Sequence, residues 1–359
     1  MTTTKEGWHT VEDGTKLYTK TWSVRFPSVL SEQVKLTGLQ PANIIRARLV
    51  FVHGFSDHCN AYYNLFPTLS SRGIQVLAYD QRGWGRSVAR SSERGLTGPT
   101  SLVLSDLTSF LKSCLHATTT ADTVLTPPLF LMGHSMGGAE ILMYAFTGPS
   151  SITSHITGYL SEAPHIALHP SLTPTRGTNF AGKLAAKLLP NTQLVRKLDE
   201  KLLSRDVDVQ RAFVEDELCH DTGTLEGLSG LMDRAAALQG GKVRLSQAAN
   251  ERRELRIWVG HGTADRITDP EVSRRWVEGL GEQVADKEFK AYDGWYHKLH
   301  AEPGEAKQIF ANDVADWILA RVPSEAGEEE RSQEGNPSSG LRLSNVKEKR
   351  DSAGSKSKL

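Results

Sequence analysis

The sequence is poor in cysteine and has no long apolar run. Its three cysteines, Cys59, Cys114 and Cys219, are an odd number without CxxC or Cys/His spacing, which argues against a disulfide framework and against a zinc site. No stretch approaches the roughly 18 apolar residues that a membrane-spanning helix needs, and the N-terminus lacks the apolar core of a secretory signal. We therefore expect a soluble protein with reduced thiols.

The chain also lacks an excess of either charge. Its 42 basic and 42 acidic side chains cancel over 359 residues, so no overall field attracts it to nucleic acid or to an anionic membrane. We therefore expect no nucleic-acid partner. A chain of this length can bury a sizeable core in one large domain or two smaller ones.

The C-terminal residues 324–359 have almost nothing to bury. They are rich in Ser, Glu, Lys and Gly, a composition that predicts a disordered tail. The tail ends in Ser357-Lys358-Leu359, the tripeptide that the peroxisomal import receptor reads. We expect a peroxisomal location with that receptor as a partner. Because a Ser/Lys-rich tail also produces this ending by chance, the cytoplasm and a lipid-droplet or membrane surface remain alternatives.

Between the two ends, apolar β-branched segments alternate with helical patterns. Alternation of this kind predicts an α/β fold with a mostly parallel central sheet flanked by helices on both faces. The predicted strands are 47–54, 74–80, 129–134, 156–164, 255–262 and 287–294. Helical patterns occupy 62–73, 101–116 and 139–146, and 306–322 is predicted to be the closing helix.

The alternation stops over residues 166–251, where apolar residues follow helical spacing without intervening strands. This predicts a helical cap inserted into a core made of residues 1–165 and 252–323. The insertion follows a predicted strand, so it would lie over the carboxyl edge of the sheet, where open α/β sheets bind ligands. The cap would then form the walls of a pocket.

A GxSxG motif, Gly133-His134-Ser135-Met136-Gly137, joins a predicted strand to a predicted helix. This is the context of a nucleophile elbow, in which the serine lies on a sharp, strained turn that exposes its Oγ. Ser135 is therefore the predicted nucleophile. A serine hydroxyl reacts at neutral pH only with a base, an orienting acid and an oxyanion site.

The base should come last in the chain, because this type of fold orders its residues Ser, acid, His. His297 and His300 both follow the last predicted strand. We favour His297 because it comes directly after the turn, and His300 remains the alternative.

The acid should follow the strand predicted at 255–262, where the chain offers Asp265 and Asp269. Asp269 precedes Pro270, which is typical of an N-cap followed by proline at the first helical position. That structural role leaves Asp265 as the predicted acid.

Two backbone N–H groups are expected to stabilise an oxyanion. One belongs to the residue after the nucleophile, Met136, and the other to the loop after an early strand, where Phe55 follows His53 and Gly54. His53 itself is interpreted as a residue that bonds the loop backbone.

Taken together, these motifs resemble those of the monoacylglycerol lipase family of α/β-hydrolases, in particular its fungal members, over about residues 6–322. The motifs are HGFSDH (53–58), YDQRGWGRS (79–87), GHSMGG (133–138), HGTADR (261–266) and GWYHKLH (294–300). The resemblance implies Ser135, Asp265 and His297 as the catalytic residues, with oxyanion donors at Phe55 and Met136. It also implies hydrolysis of monoacylglycerols or similar long-chain esters through an acyl-enzyme, with no metal and no cofactor.

Two features bear on the substrate. The bulky Phe55 stands where the family usually has a small residue, so the size of the acyl pocket remains open. In the predicted cap, Phe180, Leu184, Leu188 and Leu189 fall on one helical face. In lipases of this kind such a face can rest on a membrane, and the alternative is that it packs on the core domain.

Other functions would use the same elbow differently. A peroxisomal thioesterase or a short-chain carboxylesterase would use the same three residues with a different pocket. An epoxide hydrolase or dehalogenase would need a carboxylate at the elbow, which Ser135 argues against. A non-catalytic binding protein would ordinarily have lost one of the three residues.

Overall fold

Ten strands are present in the structure, a computed structural model that describes residues 2–24, 45–116, 126–243, 255–281, 284 and 286–322. In chain order they are β1 (Thr2–Thr10), β2 (Lys16–Val24), β3 (Ala47–Val52), β4 (Ile74–Tyr79), β5 (Leu129–His134), β6 (Ile156–Glu162), β7 (Gln193–Val195), β8 (Thr222–Thr224), β9 (Arg256–Gly262) and β10 (Asp286–Tyr292). The tail predicted at 324–359, with its terminal tripeptide, lies outside the described residues.

Eight strands form one sheet in the order β1-β2-β4-β3-β5-β6-β9-β10. All pairs from β4 to β10 are parallel, and β1 and β2 are antiparallel to their neighbours. The six strands predicted from the sequence are therefore confirmed as the parallel part of the sheet. In the register, His134 lies beside Glu162, and Glu162 lies beside Gly260. The carboxyl ends of β5, β6 and β9 thus meet at one edge.

The N-terminal hairpin of β1 and β2 was not predicted. Most residues of β1 are exposed, so the strand lacks the alternation of apolar and polar residues by which a half-buried strand is recognised. Its polar side chains suit an edge position, since an edge strand has only one pairing partner.

The central strands are buried on both faces. In β3, Leu49 and Phe51 belong to one apolar cluster, and Val50 and Val52 belong to the other. Because successive side chains of a strand point to opposite faces, an unbroken apolar run is what a sheet covered on both sides requires. This explains why the predicted strands read as continuous apolar segments.

Nine α-helices accompany the strands within the described residues. They are α1 (Leu65–Ser71), α2 (Thr100–His116), α3 (Ser135–Thr147), α4 (Ser150–Thr153), α5 (Arg176–Leu188), α6 (Val207–Glu215), α7 (Leu225–Gln239), α8 (Pro270–Glu278) and α9 (Ala306–Leu319). None of the helices in the described ranges is long and apolar enough to cross a membrane.

The inserted segment contains α5, α6 and α7, and it also contains a short antiparallel pair, β7 with β8. The expectation of an insertion without strands was therefore wrong at this point. Three-residue strands are too short to produce a recognisable sequence period. Arginine–carboxylate pairs join the insertion to the core, including Arg234 with Glu140 at 3.0 Å and Arg205 with Glu302 at 2.7 Å.

Candidate active site

Ser135 lies on the sharp turn between β5 and α3. Its φ of +52° is in the left-handed region that non-glycine residues rarely adopt, and such strain is found most often at functional sites. Gly137 allows the turn to pack closely, because a Cβ there would lie 2.3 Å from the Val52 carbonyl oxygen. The peptide N–H of His165 donates to the Ser135 carbonyl at 2.9 Å and so fixes the turn from the other side.

The structure brings the predicted nucleophile, base and acid together. His297 Nε2 lies 2.9 Å from Ser135 Oγ, and His297 Nδ1 lies 2.7 Å from Asp265 Oδ2. Because an ionised carboxylate only accepts hydrogen bonds, the proton of the neutral ring belongs on Nδ1. The lone pair of Nε2 then faces the serine hydroxyl, so this arrangement can remove its proton.

Asp265 is buried and accepts more hydrogen bonds than the sequence indicated. Its Oδ1 accepts hydrogen bonds from the N–H groups of Ile267 and Thr268, at 2.7 and 3.1 Å. Its Oδ2 accepts hydrogen bonds from His261 Nε2 at 3.0 Å and from the Thr268 hydroxyl at 2.8 Å. Burial alone would raise the pKa of Asp265, but His297 and the hydrogen bond from His261 outweigh it and hold this pKa well below its usual value. The carboxylate therefore stays ionised.

His261 and Thr268 were not predicted from the sequence as partners of the acid. A signal was available, since His261 precedes the acid by four residues in the motif HGTADR. The motif alone, however, does not say that both residues turn back onto Asp265.

Phe55 and Met136, the predicted oxyanion donors, line the same cavity as Ser135. Met136 lies in the first turn of α3, where backbone N–H groups have no intrahelical acceptor. The ring of Phe55 packs edge-to-face on Trp84, with ring centroids 4.9 Å apart. Their roles as oxyanion donors stay predictions.

The competing residues have other partners. Asp269 caps α8 by accepting the N–H groups of Glu271 and Val272 at 2.9 and 3.1 Å. His53 bonds the loop backbone, with Nδ1 2.8 Å from the Gly54 carbonyl and Nε2 accepting the Gln81 N–H at 2.9 Å. His300 is bonded to a buried carboxylate, Glu162, at 2.7 Å.

A cavity of about 1250 Å³ opens above Ser135, between the core and the inserted segment. Its wall is largely apolar, with side chains such as Leu172, Leu228 and Met232. A buried ion pair also lines it, in which Lys298 Nζ lies 3.0 Å from Asp57 Oδ2. Burial alone would lower the pKa of Lys298, but Asp57 raises it above its usual value, so both members remain charged. This pair was not predicted from the sequence.

Two clusters in the described residues have the ligand types that metal ions use. Ligand atoms lie within 4.8 Å of one another in His58, Asp216 and Cys219, and again in His134, Glu162 and His300. In each cluster one pair of side chains is hydrogen-bonded: His58 Nε2 lies 2.8 Å from Asp216, and His300 Nδ1 lies 2.7 Å from Glu162. In the second cluster, His134 Nδ1 lies 3.7 Å from Glu162 Oε2 and has no hydrogen-bond partner among the described residues.

Comparison with known proteins agrees with this architecture. Residues 43–304 match the family model described as serine aminopeptidase, S33. The chain is 33% identical to a putative monoglyceride lipase of Schizosaccharomyces pombe, with 79% of this chain and 71% of the relative aligned. It is 30% identical to the monoglyceride lipase of Saccharomyces cerevisiae over 79% of this chain and 88% of the relative.

Comparison with solved structures agrees with the sequence comparison. The crystal structure of a soluble variant of the S. cerevisiae monoglyceride lipase, in complex with a substrate analog, superimposes with a TM-score of 0.74 at 25% identity, covering 89% of this chain and 96% of that one. The relatives align over most of their own length, and the resemblance read from the motifs is confirmed. The chain belongs to the monoacylglycerol lipase family of α/β-hydrolases.

Proposed function

We propose that this protein hydrolyses monoacylglycerols to glycerol and a free fatty acid, with Ser135 as nucleophile, His297 as base and Asp265 as orienting acid. The observation that carries the proposal is the hydrogen-bonded series from Ser135 Oγ through His297 to Asp265, at 2.9 and 2.7 Å, at the floor of a largely apolar cavity. The names of the relatives support the choice of substrate.

In the first half-reaction, Ser135 Oγ attacks the ester carbonyl carbon and its proton passes to His297 Nε2. The carbonyl oxygen becomes an oxyanion that the N–H groups of Phe55 and Met136 would stabilise. When the tetrahedral intermediate collapses, the C–O bond to glycerol breaks and His297 returns the proton to the leaving oxygen. Glycerol departs and an acyl-serine remains.

In the second half-reaction, water takes the place of glycerol. His297 removes its proton as the water oxygen attacks the acyl carbon, and then returns that proton to Ser135 Oγ as the fatty acid leaves. Asp265 stays ionised throughout and stabilises the transient imidazolium.

The cavity suits this substrate at both ends. Its volume exceeds the roughly 300–1,000 Å³ of usual small-molecule sites, which leaves room for a long acyl chain against apolar walls. Lys298 directly follows His297 in the sequence, and the Asp57–Lys298 pair lines the same cavity as His297. A carboxylate accepts and an ammonium donates hydrogen bonds, so the pair can bind the hydroxyl groups of glycerol.

A competition assay tests the proposed substrate. We expect purified protein to hydrolyse long-chain monoacylglycerols at least about tenfold faster, by kcat/KM, than diacylglycerols, acyl-CoA thioesters or short p-nitrophenyl esters. The reason is that only monoacylglycerols match both the apolar walls and the Asp57–Lys298 pair of the cavity. A preference for acyl-CoA would favour a thioesterase instead, and a preference for short esters a carboxylesterase. Cleavage of aminoacyl p-nitroanilides alone would reject ester hydrolysis.

We also propose that α5 contacts a membrane or lipid-droplet surface. Phe180 and Leu188 are 73% and 70% exposed, which argues against the alternative that this face packs on the core. Other residues of α5, including Asn179 and Lys183, line the cavity, so the helix separates the cavity from an apolar outer surface. Such a surface suits shallow insertion among lipid headgroups.

Vesicle flotation tests this contact. The double variant Phe180→Ser, Leu188→Ser is expected to reduce the fraction bound to phosphatidylcholine vesicles by at least about fivefold, since both apolar side chains would be lost from the contact. The control is Ile309→Ser on α9, which removes an exposed apolar side chain from a core helix. Equal binding by all three proteins would contradict the proposal.

For location, we propose import into peroxisomes through Ser357-Lys358-Leu359. A fluorescent protein fused to the N-terminus should give punctate fluorescence that coincides with a peroxisomal marker, and deletion of the three residues should make it diffuse. Diffuse fluorescence from both proteins would reject import and leave the cytoplasm or a lipid surface.

A further inference from the structure

A second His–carboxylate pair lies beside the proposed active site. Strand β6 lies between β5, which leads to Ser135, and β9, which leads to Asp265. It ends on Glu162, whose side chain is fully buried. Three adjacent strands therefore place the nucleophile, Glu162 and the acid side by side at one edge of the sheet.

Glu162 is bonded to His300 through two groups of the same residue. The ring Nδ1 lies 2.7 Å from Oε1 and 3.0 Å from Oε2, and the backbone N–H donates to Oε1 at 3.1 Å. Since the carboxylate only accepts, the proton between them is on Nδ1. Both the main chain and the side chain of His300 are thus fixed to the end of β6.

His300 follows the proposed base by three residues and lies in a short 3-10 turn, Leu299–Ala301. The segment 297–300 is therefore held at both ends by carboxylates, His297 by Asp265 in the loop after β9 and His300 by Glu162 at the end of β6. With both ends fixed, the imidazole of His297 has little freedom to move away from Ser135.

The pair also reaches the loop that carries Phe55. The ring of Tyr62 packs on the ring of His300, with centroids 4.5 Å apart. The hydroxyl of Tyr62 accepts the N–H of Gly54 at 3.2 Å and donates to Asp57 Oδ2 at 3.1 Å. Gly54 and Asp57 flank the loop residue Phe55, so His300 supports the base segment on one side and the proposed oxyanion loop on the other.

Stability alone does not account for a buried pair of this kind. Removing polar and charged groups from water is costly, and replacing a buried ion pair by apolar side chains of similar size is often neutral or stabilising. An apolar pair at the end of β6 would serve the fold as well, but it would not fix the direction of the segment 297–300. What hydrogen bonds add is orientation, and orientation is what a general base requires.

We propose that Glu162 and His300 are positioning residues, which hold His297 and the Phe55 loop in the geometry needed for ester hydrolysis. This inference rests on the proposed function, because it assigns His297 the role of base. Neither residue contacts the reacting atoms in this arrangement, and each acts through its neighbours.

The test replaces both side chains of the pair by apolar ones, so that only the N–H of residue 300 loses its acceptor. In the double variant Glu162→Leu, His300→Leu, we expect kcat for a monoacylglycerol to fall about 30- to 100-fold, since misplacement of about 1 Å costs a rate of that order. KM should stay within twofold, and the melting temperature should fall by only a few degrees, because the apolar pair suits the buried site and a single N–H loses its acceptor. Glu162→Gln should retain kcat within about fivefold, because its Oε1 can still accept both bonds from His300.

Matched controls separate a positioning role from a general sensitivity to the loss of a buried charge. Asp106→Asn changes another buried carboxylate, which is paired with Arg82 at 2.7 Å in a different part of the core, and should leave kcat within twofold. Should the double variant fold poorly, Glu162→Ala against Glu162→Gln gives the same comparison, with a large loss of kcat expected only for Ala. Dialysis of the wild-type protein against EDTA should leave kcat unchanged.

The outcomes distinguish this inference from the proposed function. No ester hydrolysis by the wild-type protein would reject the function itself. Wild-type hydrolysis with unchanged kcat in the double variant would overturn the positioning role alone, as would a loss in Glu162→Gln as large as that in Glu162→Ala. Loss of activity in EDTA that zinc restores would show a metal requirement for which the positioning role does not account, and would overturn it.

Discussion

Ser135→Ala is expected to lower kcat for ester hydrolysis by about 10⁵- to 10⁶-fold, because no other hydroxyl can form the acyl-enzyme. Alanine keeps the Cβ and therefore the same backbone strain at φ +52°, so the free energy of unfolding should change by less than about 1 kcal/mol. Steady-state hydrolysis of a monoacylglycerol, with thermal unfolding as a parallel measurement, checks both expectations.

Ser273→Ala is the matched control. Ser273 is a fully buried serine on α8 whose hydroxyl has no hydrogen-bond partner among the residues that the structure describes, and its loss should leave kcat unchanged. A fluorophosphonate should label the wild-type protein and the Ser273→Ala variant once per chain, and should not label Ser135→Ala. Undiminished ester hydrolysis by Ser135→Ala would refute the assignment of the nucleophile.

Asp265→Asn is expected to lower kcat by about 10³- to 10⁴-fold. The asparagine amide can donate to His297 Nδ1, which would place the ring proton on Nε2 and remove the acceptor that faces Ser135. Because the pKa of Asp265 lies well below its usual value, the wild-type carboxylate remains ionised throughout the pH range 5–9. The defect of the variant should therefore persist across that range in a pH–rate profile.

Asp269→Asn tests whether the effect is specific to position 265. Asparagine is as good an N-cap as aspartate, so α8 should remain capped and kcat should stay within twofold. If Asp265→Asn lost no more activity than Asp269→Asn, another group would have to orient His297.

Several parts of the fold could be predicted because they have a recognisable local sequence pattern. Strand β5 is a continuous apolar run followed at once by the glycines of the elbow, and both its bounds, Leu129–His134, were predicted. Asp269 and Pro270 likewise marked the start of α8. Strands β1 and β7 have no such pattern, because an exposed strand or a strand of three residues does not require apolar residues at regular spacing.

In the candidate site, too, some residues could be predicted from the sequence and others could not. Ser135, Asp265 and His297 follow predicted strands in a fixed order, so their meeting followed from topology. Glu162 pairs with a residue 138 positions away, and Asp57 with Lys298 across a still longer separation. Nothing local distinguishes these residues from other polar residues at the ends of strands, and only the folded arrangement shows that they are buried together.

The core and the insertion contribute different residues to the candidate site, and this affects how substrate preference can evolve. Ser135, Asp265 and His297 all belong to the core, whereas the inserted helices α5 and α7 supply much of the cavity wall. Mutations that accumulate in the insertion can therefore alter which acyl chains are accepted while the proposed catalytic residues stay intact. Directed evolution toward a new chain length should begin in α5 and α7, and a chimera that exchanges this insertion between relatives should inherit the donor's chain-length preference.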